Sequence, residues 1–181
     1  LSTRIYPFDG SPIARTVKRS EPELRWTGHA PKDEQMEFRG VTIKGSLKPQ
    51  QVTEAMLKQL YRSQEALSDV AIYERLNKLA SPKLIRELFL QMNRTLLLRN
   101  SGGAKTRVRT VKITRCVPAE QSPTSFCVDA SWEVSGTVDH WGHIHQRTHL
   151  HSAELAFRKN KGAWILERFQ TTAFRPLKQS I

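Results

Sequence analysis

Five of the chain's six histidines fall in one twelve-residue window: His140, His143, His145, His149 and His151. Four of them, with Arg147, occupy alternate positions from 143 to 151. Alternate residues of a β-strand share one face, so this spacing builds a row of imidazoles around one guanidinium. Imidazole can move protons, hold a metal or carry a pH-dependent charge. Guanidinium is a fixed cation suited to carboxylate or phosphate. The row is therefore where function is to be sought.

Its direction follows from the turn that precedes it. Asp139-His140-Trp141-Gly142 has Asp first and Gly fourth, which suits a type I turn. That turn sets Val138 opposite His143. Counting back, His145 faces Gly136, Arg147 faces Val134, His149 faces Trp132 and His151 faces Ala130. The row then lies on the apolar, inner side, and Asp129, Ser131, Glu133, Ser135 and Thr137 form the wet side. A one-residue slip would exchange the faces. Pairing Arg158 with Ala163 adds Trp164, Leu166, Arg168 and Gln170 to the inner side. One end is then dry (Leu155, Phe157, Trp164, Leu166) and the other polar, like a pocket with a wet mouth.

Three uses of this face stay open. The imidazoles can satisfy buried hydrogen bonds within the core. They can line a surface for an anionic ligand or a protein partner, built from His143, His145, Arg147, His149, His151, Trp132, Trp141 and Arg168. Or a pair at i and i+2, His143 with His145 or His149 with His151, can chelate a metal. Zinc usually takes a third or fourth protein ligand, and no carboxylate falls on the expected inner face. No Asp or Glu is placed to orient a catalytic imidazole, and no nucleophile elbow, phosphate loop or HExxH motif occurs. The balance favours a non-enzymatic module, with no cofactor called for.

The elements that must position the row are legible from periodicity. Val52, Met56, Leu60 and Leu67 predict a helix over 50–67. Ser68 or Asp69 caps a second over 69–79, with Ile72, Tyr73, Leu76 and Leu79 inward. Ser81-Pro82 opens a third, striped by Leu84, Ile85, Leu88, Phe89, Met92 and Leu96, and the run Asn100 to Gly103 stops it. Four strands are then expected: 106–116, 126–138, 143–158 and 163–174. Short connections make neighbours antiparallel. The fold class is α+β, with three helices on one face of a curved four-stranded (or larger) sheet. Residues 1–48 hold four of the nine prolines and scattered apolar spots, and read as an extended arm before a body at 49–181. Phe38–Ile43 could form a short strand that pins the arm.

The net charge of +12 is spread as +3 over 1–48, +3 over 49–100 and +6 over 101–181. A dispersed positive field favours anionic partners in general: nucleic acid, lipid headgroups or acidic proteins. No aromatic recognition signature or zinc-finger spacing supports nucleic acid. No stretch of eighteen apolar residues is present. Cys116 and Cys127 end probable strands around a Pro-containing loop, where either a bridge or two reduced thiols is sterically plausible.

The order of helices and strands, closing on Gly162-Ala163-Trp164-Ile165-Leu166, resembles the nuclear-transport-factor-two-like cone fold, also called SnoaL-like, over roughly residues 48–175. The run Val138 to Arg147, with the Leu88–Gly103 helix end and the Arg107–Val111 strand, resembles an uncharacterised group of bacterial domains with a His-Trp-Gly-His-Ile-His hairpin. The first likeness implies a cone that can serve as an enzyme or an assembly module, although this chain lacks the Asp base that cone isomerases place inside. The second implies an extracytoplasmic, membrane-linked setting; protein partners and a homo- or hetero-oligomeric state are expected of such an assembly domain. It also implies that His143, His145 and Arg147 matter more than His149 and His151, where the chain departs from that pattern.

Overall fold

The computed structural model describes residues 43–45, 47–140 and 142–180. Three helices, α1 (Pro49–Gln64), α2 (Asp69–Leu79) and α3 (Pro82–Asn100), precede four strands. These are β1 (Lys105–Gln121), β2 (Ser125–His140), β3 (His143–Asn160) and β4 (Ala163–Ser180). The strands pair in sequence order as one open antiparallel sheet. One core joins the helices to the inner sheet face, with Met56, Leu57, Leu60, Leu76 and Leu88 against Val128, Ala130, Trp132 and Val134. The expected arm over 1–48 lies largely outside the described residues. Its last part is pinned: Trp164 N–H donates to the Ile43 carbonyl at 2.8 Å, and Gly45 N–H to Gly162 at 2.9 Å. The rest of the expected strand Phe38–Ile43 lies outside the described residues.

Local chemistry explains the helix limits. Pro49 opens α1, and the Lys48 N–H donates to Gln51 Oε1. Ser68 caps α2 by accepting the Ala71 N–H at 3.2 Å. Ser81 leaves its side chain out of capping and donates its N–H to the Leu166 carbonyl at 2.8 Å, tying the α2–α3 junction to β4. Helix α1 ends at Gln64, three residues before the expected end. Ala66 takes the buried place, and Leu67 is 64% exposed. Carbonyls at that end accept from distant guanidinia: Arg62 from Arg75 at 2.8 Å, and Ala66 from Arg99 at 2.5 Å. These bonds satisfy acceptors that a helix terminus otherwise leaves open. Tyr73, expected inward, lies exposed with its ring edge-on to Phe89.

The β2–β3 connection is a two-residue hairpin, with His140 paired to His143, instead of the expected type I turn. Gly142 sits at φ 80°, a left-handed conformation that suits the primed turns whose twist matches paired strands. Each partner is thereby displaced by two residues: Val138 faces His145, Gly136 faces Arg147, Val134 faces His149 and Trp132 faces His151. An even displacement keeps every side chain on its face. The β3–β4 hairpin is displaced in the same way, with Asn160 opposite Ala163 and both loop residues at positive φ (Lys161 48°, Gly162 81°).

Bulges then break the simple alternation of β4. Phe157 pairs with Leu166, but Ala156 pairs with Arg168, so Glu167 is an inserted residue. A bulge reverses the parity of everything beyond it. Phe169 therefore takes the buried place, and Arg168 and Gln170 move to the outer face, where Arg168 is exposed. A second insertion, at Thr172, returns Phe174 to the inner side opposite His151.

Of the two alternatives for Cys116 and Cys127, the same register favours separate thiols over a bridge. Cys116 pairs with Ala130 on the inner face, its Sγ 4.0 Å from Thr53 Oγ1 of α1, whereas Cys127 alternates with buried Phe126 and Val128 and points outward. Both are free thiols. A thiol assay on protein denatured without reductant should find both cysteines reactive; protected thiols under those conditions would contradict this strand register.

Candidate functional site

The inner face divides the histidine row into two environments. His149 and His151 are 4% and 3% exposed. His145 and Arg147 are half-buried, and His143 is exposed near the hairpin. Long strands explain the division: β3 runs from a solvated end at His143 to the sealed stretch Ala153, Leu155, Phe157. Of the other expected site residues, Trp132 joins the buried half. Arg168 does not, because of the bulge. Trp141 lies outside the described residues.

The buried half is an aromatic assembly. The His151 ring stacks on the Trp132 indole, with centroids 5.6 Å apart and planes 9° from parallel. Tyr61 of α1 meets His151 edge-on at 6.2 Å, Phe174 meets it at 5.0 Å, and His149 lies across it at 6.4 Å. Phe174 also stacks on His149 at 5.2 Å, and Phe169 closes the other side of Trp132 edge-on at 6.0 Å. Trp132 Nε1–H donates to Tyr61 Oη at 3.0 Å, inside the core. An indole N–H buried without such an acceptor would cost about 1–3 kcal/mol.

Burial decides the charge states here. Burial first, and the neighbouring His149 second, hold the His151 imidazole down at about 3. Burial also lifts the Tyr61 phenol well above its usual range, only partly offset by the bond from Trp132. Both are neutral at ordinary pH. A base with so low a pKa takes a proton poorly from a substrate near neutrality. His151 thus serves as a flat, neutral plate in the core.

The expected metal pair His143 and His145 shares the more accessible end of the row. Among the described residues, no group of three or more His, Cys, Asp or Glu side chains is arranged to hold a metal ion. Asp139, the nearest carboxylate in sequence, pairs with Ile144 and so belongs to the opposite face. Two imidazoles alone make an incomplete set for zinc.

A second feature escaped the sequence reading. A groove of about 330 Å³ runs between the end of α1 and β1, lined by Lys58, Tyr61, Arg62, Glu65, Val108, Arg109, Thr110 and Val111. Glu65 Oε1 accepts the Val108 N–H at 2.6 Å across it. Arg109 is the inserted residue of a bulge between Val108 and Thr110. The alternation of charges along β1 hints at basic character, but only the packing of α1 beside that bulge makes a concave site.

No protein-family profile matches the chain, and no curated protein matches it. Several solved structures are similar in part, among them the two that follow. The crystal structure of the intermembrane space region of chloroplast protein ARC6 is 13% identical, with a TM-score of 0.47 over 70% of this chain and 98% of that one. The solution structure of a de novo designed β-sheet protein is 18% identical, with a TM-score of 0.34 over 67% of this chain and 88% of that one. No helix among the described residues is long and apolar enough to cross a membrane.

Proposed function

We propose that the chain is a non-enzymatic binding or assembly domain of cone-like form, whose partner meets the accessible end of the inner sheet face at His143, His145 and Arg147. One observation carries this reading: the row is split, with His149 and His151 packed into the core and the other three left within reach of solvent. The buried pair supplies rigidity, and a rigid strand holds the two imidazoles and the Arg147 guanidinium at fixed spacing, as a recognition surface needs. Trp141, two residues before His143 in sequence, is the proposed aromatic contact; aromatic and Arg side chains commonly anchor interfaces.

The sheet edges favour contact through side chains over strand addition. β1 carries Pro118 and three register irregularities, and β4 carries Pro176 and three more. Proline and bulges both blunt an edge against pairing with another chain. The proposed setting is an extracytoplasmic, membrane-associated complex. That part rests on the hairpin resemblance, and the free thiols add nothing to it.

The test is co-purification of the tagged chain from its own host, set against a His143→Ala, His145→Ala, Arg147→Ala variant. The expected result is a defined partner with the native protein and its loss with the variant, while the melting curve stays cooperative. Unchanged partner recovery with the variant would remove this surface from the proposal. Substrate turnover by the purified chain would replace the proposal with the enzymatic alternative.

A further inference from the structure

We propose that the groove between α1 and β1 is a binding site for a phosphomonoester dianion carried on a small apolar group. It is separate from the histidine row. Its walls carry three cations, Lys58, Arg62 and Arg109, against one carboxylate, Glu65. The net lining charge of two positives matches a phosphate monoester, which carries about −1.5 to −2 near pH 7.

The cations differ in availability. Lys58 is bonded to Glu54 at 2.6 Å, an exposed pair of the kind that contributes little and exchanges readily. Arg62 and Arg109 have no ion pair among the described residues. Arg109 owes its aim to the bulge, a device that re-aims a side chain at an edge or beside a site. Guanidinium presents paired N–H donors that fit phosphate oxygens in two-pronged fashion.

The floor excludes other modes. The Val108 N–H, which an added strand would use, is already taken by Glu65. A peptide strand docking here would displace that bond and meet the bulge. Recognition therefore falls to side chains: two guanidinia, the Lys58 ammonium and the Thr110 hydroxyl. Val108, Val111 and the Tyr61 ring give the groove an apolar side for the organic part of an ester. A volume of about 330 Å³ suits a phosphate with a small substituent and is too small for a folded segment.

The shared chemistry could come from a soluble metabolite or from a lipid bearing a terminal phosphate. Phenyl phosphate and vesicles of roughly four parts phosphatidylcholine to one part phosphatidic acid are the two probes. The full chain is titrated with phenyl phosphate by calorimetry, and by amide resonances for location. Saturable binding is expected, with the Val108 amide and the Trp132 indole N–H moving and Leu155 still. Arg62→Gln and Arg109→Gln should each weaken it about tenfold, the loss of one charge-assisted bond. Lys112→Gln, on β1 but outside the groove, should change it less than about twofold, since screening limits remote surface charges.

Binding of the soluble ester assigns a metabolite. Binding only of the phosphatidic acid vesicles, sensitive to the same two arginines, assigns a lipid headgroup. Failure of both probes overturns the proposal. So does equal weakening by Lys112→Gln, which would mean a diffuse field. So does equally tight binding of dimethyl phosphate, which has a single charge. The Arg variants replace exposed side chains, and a thermal melt of each checks that the fold is intact.

Discussion

On acidification from pH 7 to pH 3 the protein loses on the order of 4 kcal/mol of stability through His151 alone. The sign follows from the protonation states. In the unfolded chain this imidazole titrates near 6.5, and in the native core burial holds it at about 3. The unfolded state therefore binds the proton first, and each unit below 6.5 favours unfolding until the native imidazole itself is protonated. The groups around it give little relief: Trp132, Tyr61 and Phe174 offer aromatic surface, and His149 would add a like charge. Such a loss is comparable with the whole stability of an ordinary domain. Urea unfolding at pH 7, 5 and 4 measures it, and His151→Phe should flatten that dependence. The variant should be about as stable as the native protein at pH 7, because the buried Nε2 has no hydrogen-bond partner to lose. A native protein equally stable at pH 7 and pH 4, or a variant with an unchanged slope, would place His151 in water.

The histidine row shows what a strand period can and cannot convey. Alternation put His143, His145, Arg147, His149 and His151 on one face, and the structure keeps them there although each partner is displaced by two residues. Face depends on parity, and parity survives an even displacement. The depth of each residue was beyond reach, because it depends on where along β3 the sealed part of the core ends. The same parity argument placed Arg168 wrongly, because a single inserted residue, Glu167, reverses it and leaves only a weak sequence mark. Helix starts at Asp69 and Pro82 were legible because the Ser68 cap and the proline at the first turn act within a few residues, and periodicity alone placed the first helix's start within one residue of Pro49. The end of α1 was not, since it depends on Arg75 and Arg99 reaching back from other helices. The same holds for the groove: Arg62 and Arg109 are remote in sequence, and only the packing of α1 beside the β1 bulge brings them together.

Truncating Trp132 to Ala should destabilise the fold by about 3–5 kcal/mol, the usual range for emptying the place of a large buried aromatic. Trp132 is 1% exposed, at the point where α1, β3 and β4 converge on β2. The loss has three sources that separate experimentally. The first is the cavity. The second is the stacked face of His151, which becomes part of the cavity wall. The third is the Nε1–H bond to Tyr61. Tyr61→Phe removes only the acceptor and leaves the indole N–H unsatisfied, at a cost of about 1–3 kcal/mol. Trp132→Phe removes the donor but keeps most of the packing, so it should fall between the two. In a double-mutant cycle, adding Tyr61→Phe to Trp132→Phe should cost much less than adding it to the native protein, because the hydrogen bond is already gone. Chemical denaturation of the four proteins measures the coupling directly. Strict additivity would show that the Trp132–Tyr61 bond contributes nothing to holding α1 over the histidine face.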